Sequence, residues 1–177
     1  MPQLRYSVAA SLDGYIAGPG GEYDWIPMDP DVDFAALYAS FSHLVMGRHS
    51  YDVYVATGGG VGPALPVTVC STTLPEGDRA CVTFVHDAVA HVRTLKAGDG
   101  PKPIWLWGGG VLFRTLADAG LVDGVDVAIV PILLGGGIPL LPPGARLPLR
   151  FVRQRLYEKS GILAVDYDVR RPGTDER

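Results

Sequence analysis

Apolar positions along this chain recur in two periods, one suited to strands and one to helices. Leu4 to Ser11 is a short apolar run that ends at the turn signal Leu12-Asp13-Gly14, which predicts a buried first strand. After a loop opened by Gly18-Pro19-Gly20-Gly21, Asp29-Pro30 reads as a helix start, with Asp as N-cap and Pro at the first helical position. Phe34, Leu37, Tyr38 and Phe41 follow at helical spacing, and His43 to Met46 predicts a strand closed by Gly47-Arg48-His49-Ser50 and a brief helical turn. Further strands are expected at Pro66 to Cys70, Cys81 to Val85, Pro103 to Trp107 and Val125 to Val130, with Gly58-Gly59-Gly60 in an irregular stretch. Helices are expected from Asp87 to Lys96, with Val89, Val92 and Leu95 inward, and from Val111 to Ala119, ending at Gly120. Leu149 to Tyr157 and Ile162 to Val169 read as two last strands joined through Lys159-Ser160-Gly161, a hairpin signal. Strands alternate with helices through the middle, so the pattern predicts an α/β layered domain whose mostly parallel sheet carries an antiparallel edge.

Composition narrows this picture. The 177 residues suit one domain, expected over 1–171 with a frayed tail at 172–177. Hydrophobic residues make up 47% and charged residues 19%, a globular balance. A formal net charge of -4 without a Lys/Arg block argues against a nucleic-acid surface. Cys70 and Cys81 make no disulfide framework, and each lies in an apolar strand-like segment that predicts a buried thiol. With neither a signal-peptide layout nor an apolar run of membrane length, the chain reads as cytoplasmic and free of membrane partners.

Candidate chemistry gathers where strands end. Trp105-Leu106-Trp107-Gly108-Gly109-Gly110-Val111-Leu112-Phe113 is an apolar strand that runs into three glycines and at once into a helix. Three glycines cost backbone entropy, so a ligand approaching the main chain is the expected reason for them, and a helix N-terminus there suits a phosphate. The spacing is not a Rossmann fingerprint, since Phe113 stands where the third glycine would fall, and no Gly-Lys-Ser/Thr follows to make a P-loop. Gly47-Arg48-His49-Ser50 is a second strand–turn–helix junction, at which Arg48 can fork two hydrogen bonds onto a phosphate. Together the two junctions could hold the two ends of one dinucleotide. Ser71 and Thr72 follow a third strand end, where their hydroxyls suit either a ribose phosphate or a plain Ser/Thr turn. Asp31 and Asp33 are placed in the first turn of the first predicted helix, as dipole complements or as a proton source. No metal-ligand constellation, zinc-deaminase signature or Gly-x-Ser-x-Gly elbow occurs.

These segments, in order and over roughly Leu4 to Val169, resemble the dihydrofolate reductase-like superfamily, in its bacterial branch related to the riboflavin-biosynthesis reductase (RibD C-terminal) domain. The matching runs are Val8-Ala9-Ala10-Ser11-Leu12-Asp13-Gly14-Tyr15-Ile16-Ala17, Val45-Met46-Gly47-Arg48-His49-Ser50, Val69-Cys70-Ser71-Thr72-Thr73, Ile104 to Gly110 and Pro131 to Leu141. The resemblance implies a three-layer fold and an NADPH-dependent oxidoreductase that delivers hydride to a C=N or C=O bond of a small heterocyclic or sugar-like substrate. By position, Gly47, Arg48, His49 and Ser50 would hold phosphates, and Ser71 and Thr72 would sit near the adenosine ribose phosphate. Gly108, Gly109, Gly110, Val111 and Leu112 would lie against the pyrophosphate and nicotinamide, and Ala9, Ala10, Ile16 and Ala17 would line the nicotinamide pocket. Asp13, Tyr15, Trp25 and Asp31 would wall the substrate, with Asp31 at the position of the acidic residue that contacts the pterin in folate reductases. Trp107 stands where the riboflavin branch commonly carries Glu. The reductase of riboflavin biosynthesis, a dihydrofolate reductase and a non-catalytic nucleotide-binding protein are the alternatives. A homodimer is expected, with the apolar stretch Pro131 to Leu141 as either an interface or an internal turn.

Overall fold

A computed structural model describes residues 1–58, 65–79 and 81–171; Gly59-Gly60 and the expected tail at 172–177 lie outside the described residues. The chain begins with strands β1 (Leu4–Ser11) and β2 (Tyr15–Ala17), helix α1 (Phe34–Ala39), β3 (His43–Gly47) and α2 (Arg48–Ala56). Next come β4 (Val67–Cys70), β5 (Gly77–Arg79), β6 (Val82–Val85), α3 (Ala88–Ala97), β7 (Ile104–Gly108) and α4 (Gly110–Asp118). The last strands are β8 (Gly124–Val130), β9 (Ile138–Pro139), β10 (Leu149–Tyr157) and β11 (Ile162–Val169). One nine-stranded sheet runs β10-β11-β8-β1-β7-β3-β4-β6-β5, and β2 pairs with β9 in a small antiparallel sheet. β8, β1, β7, β3, β4 and β6 are mutually parallel, while β11 joins β8, and β10 joins β11, antiparallel. The expected mostly parallel sheet with its C-terminal hairpin is present.

Two cores make the three layers. On one face Leu4, Tyr6, Ile104 and Leu106 pack against Val92 of α3 and Leu112, Phe113 and Leu116 of α4. Tyr6 stacks on Phe113 with ring centroids 4.0 Å apart. On the other face Leu44, Met46, Val67, Val69 and Trp105 meet Leu37 and Tyr38 of α1 and Tyr51 and Tyr54 of α2. Burial of each of these large side chains stabilises the fold by about 1.5–3 kcal/mol.

Three expectations are corrected. The first helix begins at Phe34, capped by Asp33, whose carboxylate accepts from the Ala36 amide at 2.9 Å. Asp29 is buried and accepts from the amides of Asp31 at 2.8 Å and Ser160 at 3.0 Å, so it anchors a turn to the β10–β11 hairpin instead of capping a helix. Those bonds, with that of the Ser160 hydroxyl foremost, hold its carboxyl below the usual range. Second, α2 is a nine-residue helix, not a brief turn. Third, Cys81 is exposed with φ 77°, whereas Cys70 is largely buried and its thiol is pushed up to about 12 by burial.

Candidate functional site

Where β1, β3, β4 and β7 end, the sheet opens into a cleft of about 2110 Å³. Pockets for small ligands commonly hold ~300–1,000 Å³, so this one has room for more than one such molecule. All four helices begin on its wall, α2 and α4 directly from strand ends. α2 starts from Gly47 and α4 from Gly109, and neither N-terminus has a side-chain cap. The other two helices, α1 and α3, are capped by Asp33 and Asp87. Glycine therefore stands as N-cap only at the helices that start beside the cleft strands β3 and β7, which pair with each other. A Cβ on Gly47 would lie 3.8 Å from the Gly109 nitrogen, so the two junctions adjoin. Their first amides and dipoles offer an anion two donor sets side by side.

The glycine triplet has mixed causes. Gly108 has φ 138°, and a Cβ on Gly110 would lie 2.8 Å from the Pro139 carbonyl oxygen, so the fold itself requires glycine at both. Only Gly109 has ordinary clearance, with nothing nearer than the Ser50 hydroxyl at 3.8 Å. The expectation that a ligand explains all three glycines is thereby reduced to Gly109.

Ala9, Ile16, Ala17, Gly47, Arg48, His49, Ser50, Ser71, Thr72, Gly108, Gly109, Gly110, Val111 and Leu112 all line this one cleft. Ala10 is buried on the far side of β1, where it borders a separate small pocket with Val125 and Ile129. Arg48 uses Nε on Asp52, at 2.9 and 3.1 Å, and its terminal Nη groups carry no protein acceptor among the described residues. Ser71 accepts from the amides of Thr73 and Leu74, at 3.2 and 3.1 Å, which is the plain turn reading of its hydroxyl.

The expected substrate-side residues are placed off the cleft wall. Asp13 accepts from the Ser11 hydroxyl at 2.6 Å and from the Leu134 and Gly135 amides, bonds that lower its pKa and tie the β1–β2 turn to a loop. Tyr15 pairs with Pro139 in the small sheet, and the Trp25 indole donates to the Glu22 carbonyl at 3.0 Å. Asp31 pairs with Lys159 at 2.7 Å, with both side chains about half exposed or more. The wall beside α1 is instead formed by Val32, Phe34, Leu37 and Tyr38, facing Trp105 and Trp107. Trp107 meets Tyr54 edge-on at 6.2 Å.

Residues that the sequence reading passed over occupy the remaining floor: Ser7, Asp126, Asp166, Arg153 and Arg155. Asp126 accepts both arms of Arg5, Nε at 2.8 Å and Nη2 at 2.6 Å. Burial pushes its carboxyl upward, Arg5 opposes this, and neighbouring Asp166 adds to it. A signal existed in the alternation of β8 and β11, where Asp126 in one and Asp166 and Asp168 in the other interrupt otherwise apolar strands.

Fold and cleft together define an α/β protein of the dihydrofolate reductase-like class, with its cleft at the carboxyl ends of parallel strands. More narrowly, residues 2–160 match the RibD C-terminal domain, and the chain belongs to that family. It is 31% identical to the uncharacterized protein YyaP of Bacillus subtilis (strain 168), over 93% of this chain and 94% of YyaP. A crystal structure from Shewanella sp. PV-4, named for riboflavin biosynthesis, superposes with a TM-score of 0.79 at 29% identity, covering 97% of this chain and all of that one. RibD of Acinetobacter baumannii shares the fold at a TM-score of 0.74 and 16% identity, with 96% of this chain covered and 58% of RibD.

Proposed function

We propose that this protein is an NADPH-dependent reductase that transfers hydride to a C=N or C=O bond of a small heterocyclic or sugar-like substrate. Membership of a family with reductase relatives supports the class, and the carrying observation is the adjoining pair of glycine-capped helix N-termini on the cleft. Anionic groups of a dinucleotide would meet the first amides of α2 and α4, with Arg48 and Ser50 adding donors. Gly109, where a Cβ would have ordinary clearance, fits a ligand lying against the main chain there. Bound NADPH supplies the hydride. The chain's own part is to hold and orient the two reactants and to exclude water between Trp107, α1 and the β1–β8 floor. Solvent or a cleft carboxylate would supply the accompanying proton.

Binding is tested by thermal denaturation. NADPH at a hundredfold excess over its Kd should stabilise the fold by about 2.7 kcal/mol. Arg48→Ala should weaken NADPH far more than NADH; equal losses would remove Arg48 from the extra phosphate, and no response to either nucleotide would end the reading. Oxidation of NADPH with the deaminated ribosylaminopyrimidine and with dihydrofolate, side by side, then separates the riboflavin-type and folate-type reactions.

A further inference from the structure

Trp107 sits at an irregularity of the sheet. Val45 of β3 pairs with Leu106 and Met46 with Gly108, so Trp107 is an extra residue of β7 that β3 does not match. A bulge of this kind breaks the ladder locally and re-aims a side chain, and it is common beside binding sites. Here the side chain borders the cleft. Its ring is half-buried and meets Tyr54 edge-on at 6.2 Å, a contact that holds the indole in place.

The three tryptophans differ in what their N–H groups do. Trp25 donates to the Glu22 carbonyl at 3.0 Å, and Trp105 to the Ser7 carbonyl at 2.8 Å. Among the described residues, the Trp107 N–H meets no acceptor. No fully buried side-chain nitrogen or oxygen among those residues is left unpaired, so this N–H opens out of the packed core, where its ring borders the cleft.

Around it the wall is apolar and stiff. Phe34 and Leu37 of α1 border the same cleft, and Tyr38 tilts against Trp105 with ring centroids 5.1 Å apart. Phe41 stacks on Trp105 at 4.7 Å. A mostly apolar wall with a placed polar group is the usual form of a small-molecule site. An indole nitrogen can only donate, so this wall selects an acceptor. Trp107 also stands where the riboflavin branch commonly carries Glu, which when ionised can only accept. The polarity of this wall position is thus reversed in this chain.

We propose that the substrate is a flat, uncharged ring bearing a carbonyl oxygen, which accepts the Trp107 N–H while the ring lies against Phe34, Leu37 and Tyr38. This rests on the reading of the cleft as a reductase site, and within that reading it selects ring ketones over ring amines. Trp107 is a specificity determinant: it holds the oxygen and gives no proton to the reaction.

The test uses the full chain and two bicyclic probes of similar size, 1-indanone and 1-aminoindane, in calorimetric titration beside thermal shift with NADPH. Indanone should bind more tightly than aminoindane. Trp107→Phe keeps an aromatic ring but loses the donor, and should weaken indanone about fivefold, the net worth of one hydrogen bond. Trp107→Glu should reverse the order of the two probes, a change that lost packing alone does not produce. Phe34→Ala should weaken both probes alike. A wild-type preference for aminoindane, binding of neither probe, or a folded Glu variant that keeps the native order would overturn the proposal. Where the Glu variant does not fold, the Phe variant decides, and indanone affinity untouched by it has the same consequence. Indanone binding that depends on Trp107 in a protein that ignores NADPH would support the anchor and overturn the nucleotide reading alone. Stabilisation by NADPH with neither ring probe bound would do the reverse.

Discussion

Gly110 and Gly109 are neighbours in one motif, yet they answer to different constraints. A methyl group at Gly110 meets the Pro139 oxygen at 2.8 Å and Pro142 Cδ at 3.0 Å, neither at the end of a flexible side chain. Gly110→Ala should therefore destabilise the protein by about 1–3 kcal/mol, as overpacking does, with the loss read from urea unfolding. An unchanged midpoint would show that the β9 segment yields freely. In the sequence the three glycines are indistinguishable, because the partners that separate them lie about thirty residues further on. Asp29 teaches the same lesson in reverse: Asp-Pro is a sound helix start, but the Ser160 amide captures its carboxylate from 131 positions away.

At the scale of elements, β3, β4 and α3 are joined by a polar thread through apolar packing. The Thr68 hydroxyl, fully buried, bonds the Nε2 of His43 at 2.8 Å and that of His91 at 3.0 Å. Burial lowers the His43 pKa to about 4, with His91 contributing, and burial also lowers that of His91. Both imidazoles are thus neutral in the fold, whereas the unfolded chain takes up protons near the ordinary value of 6.5. Stability is complete above that value and falls as the pH drops from about 6.5 towards 4. After solvent screening of these partly exposed groups, the loss should amount to about 1–3 kcal/mol. Denaturant unfolding at pH 7 and pH 5 measures it, and His43→Gln should flatten the difference; an equal slope in the variant would assign the acid sensitivity elsewhere. Strand and helix identities were legible here, since His43, Thr68 and His91 all fall in elements that periodicity predicts. Their convergence was not, because it depends on β3 and β4 pairing in parallel, with Val45 beside Thr68.

For the whole molecule, the sheet ends on an unpaired edge. β10 is nine residues long, and Leu149, Phe151, Val152 and Leu156 are exposed on it. This edge is bulged between Phe151 and Arg153 and carries three arginines, yet its four exposed apolar side chains leave a surface that suits a covering partner. The expected homodimer is therefore proposed to use β10 in preference to the stretch from Pro131 to Leu141, where Leu140 and Leu141 pack against the core. Sedimentation should find a dimer that Phe151→Glu converts to monomer without altering the response to NADPH; a wild-type monomer would refute the pairing.

By itself the sequence determined the order of the longer strands and the helices, the mostly parallel sheet with its closing hairpin, and the junctions at Gly47 and Gly109, because periodicity and turn chemistry act over a few residues; the two- and three-residue strands β2, β5 and β9 are too short to carry a period. Only the tertiary structure decided what shares the cleft. It removed Asp13, Tyr15, Trp25 and Asp31 from the wall and put Asp126, Asp166 and Arg153 there. The physical reason is register: a residue's place on a sheet face follows from which strands pair and where they align, and that is settled by contacts between segments more than a hundred positions apart.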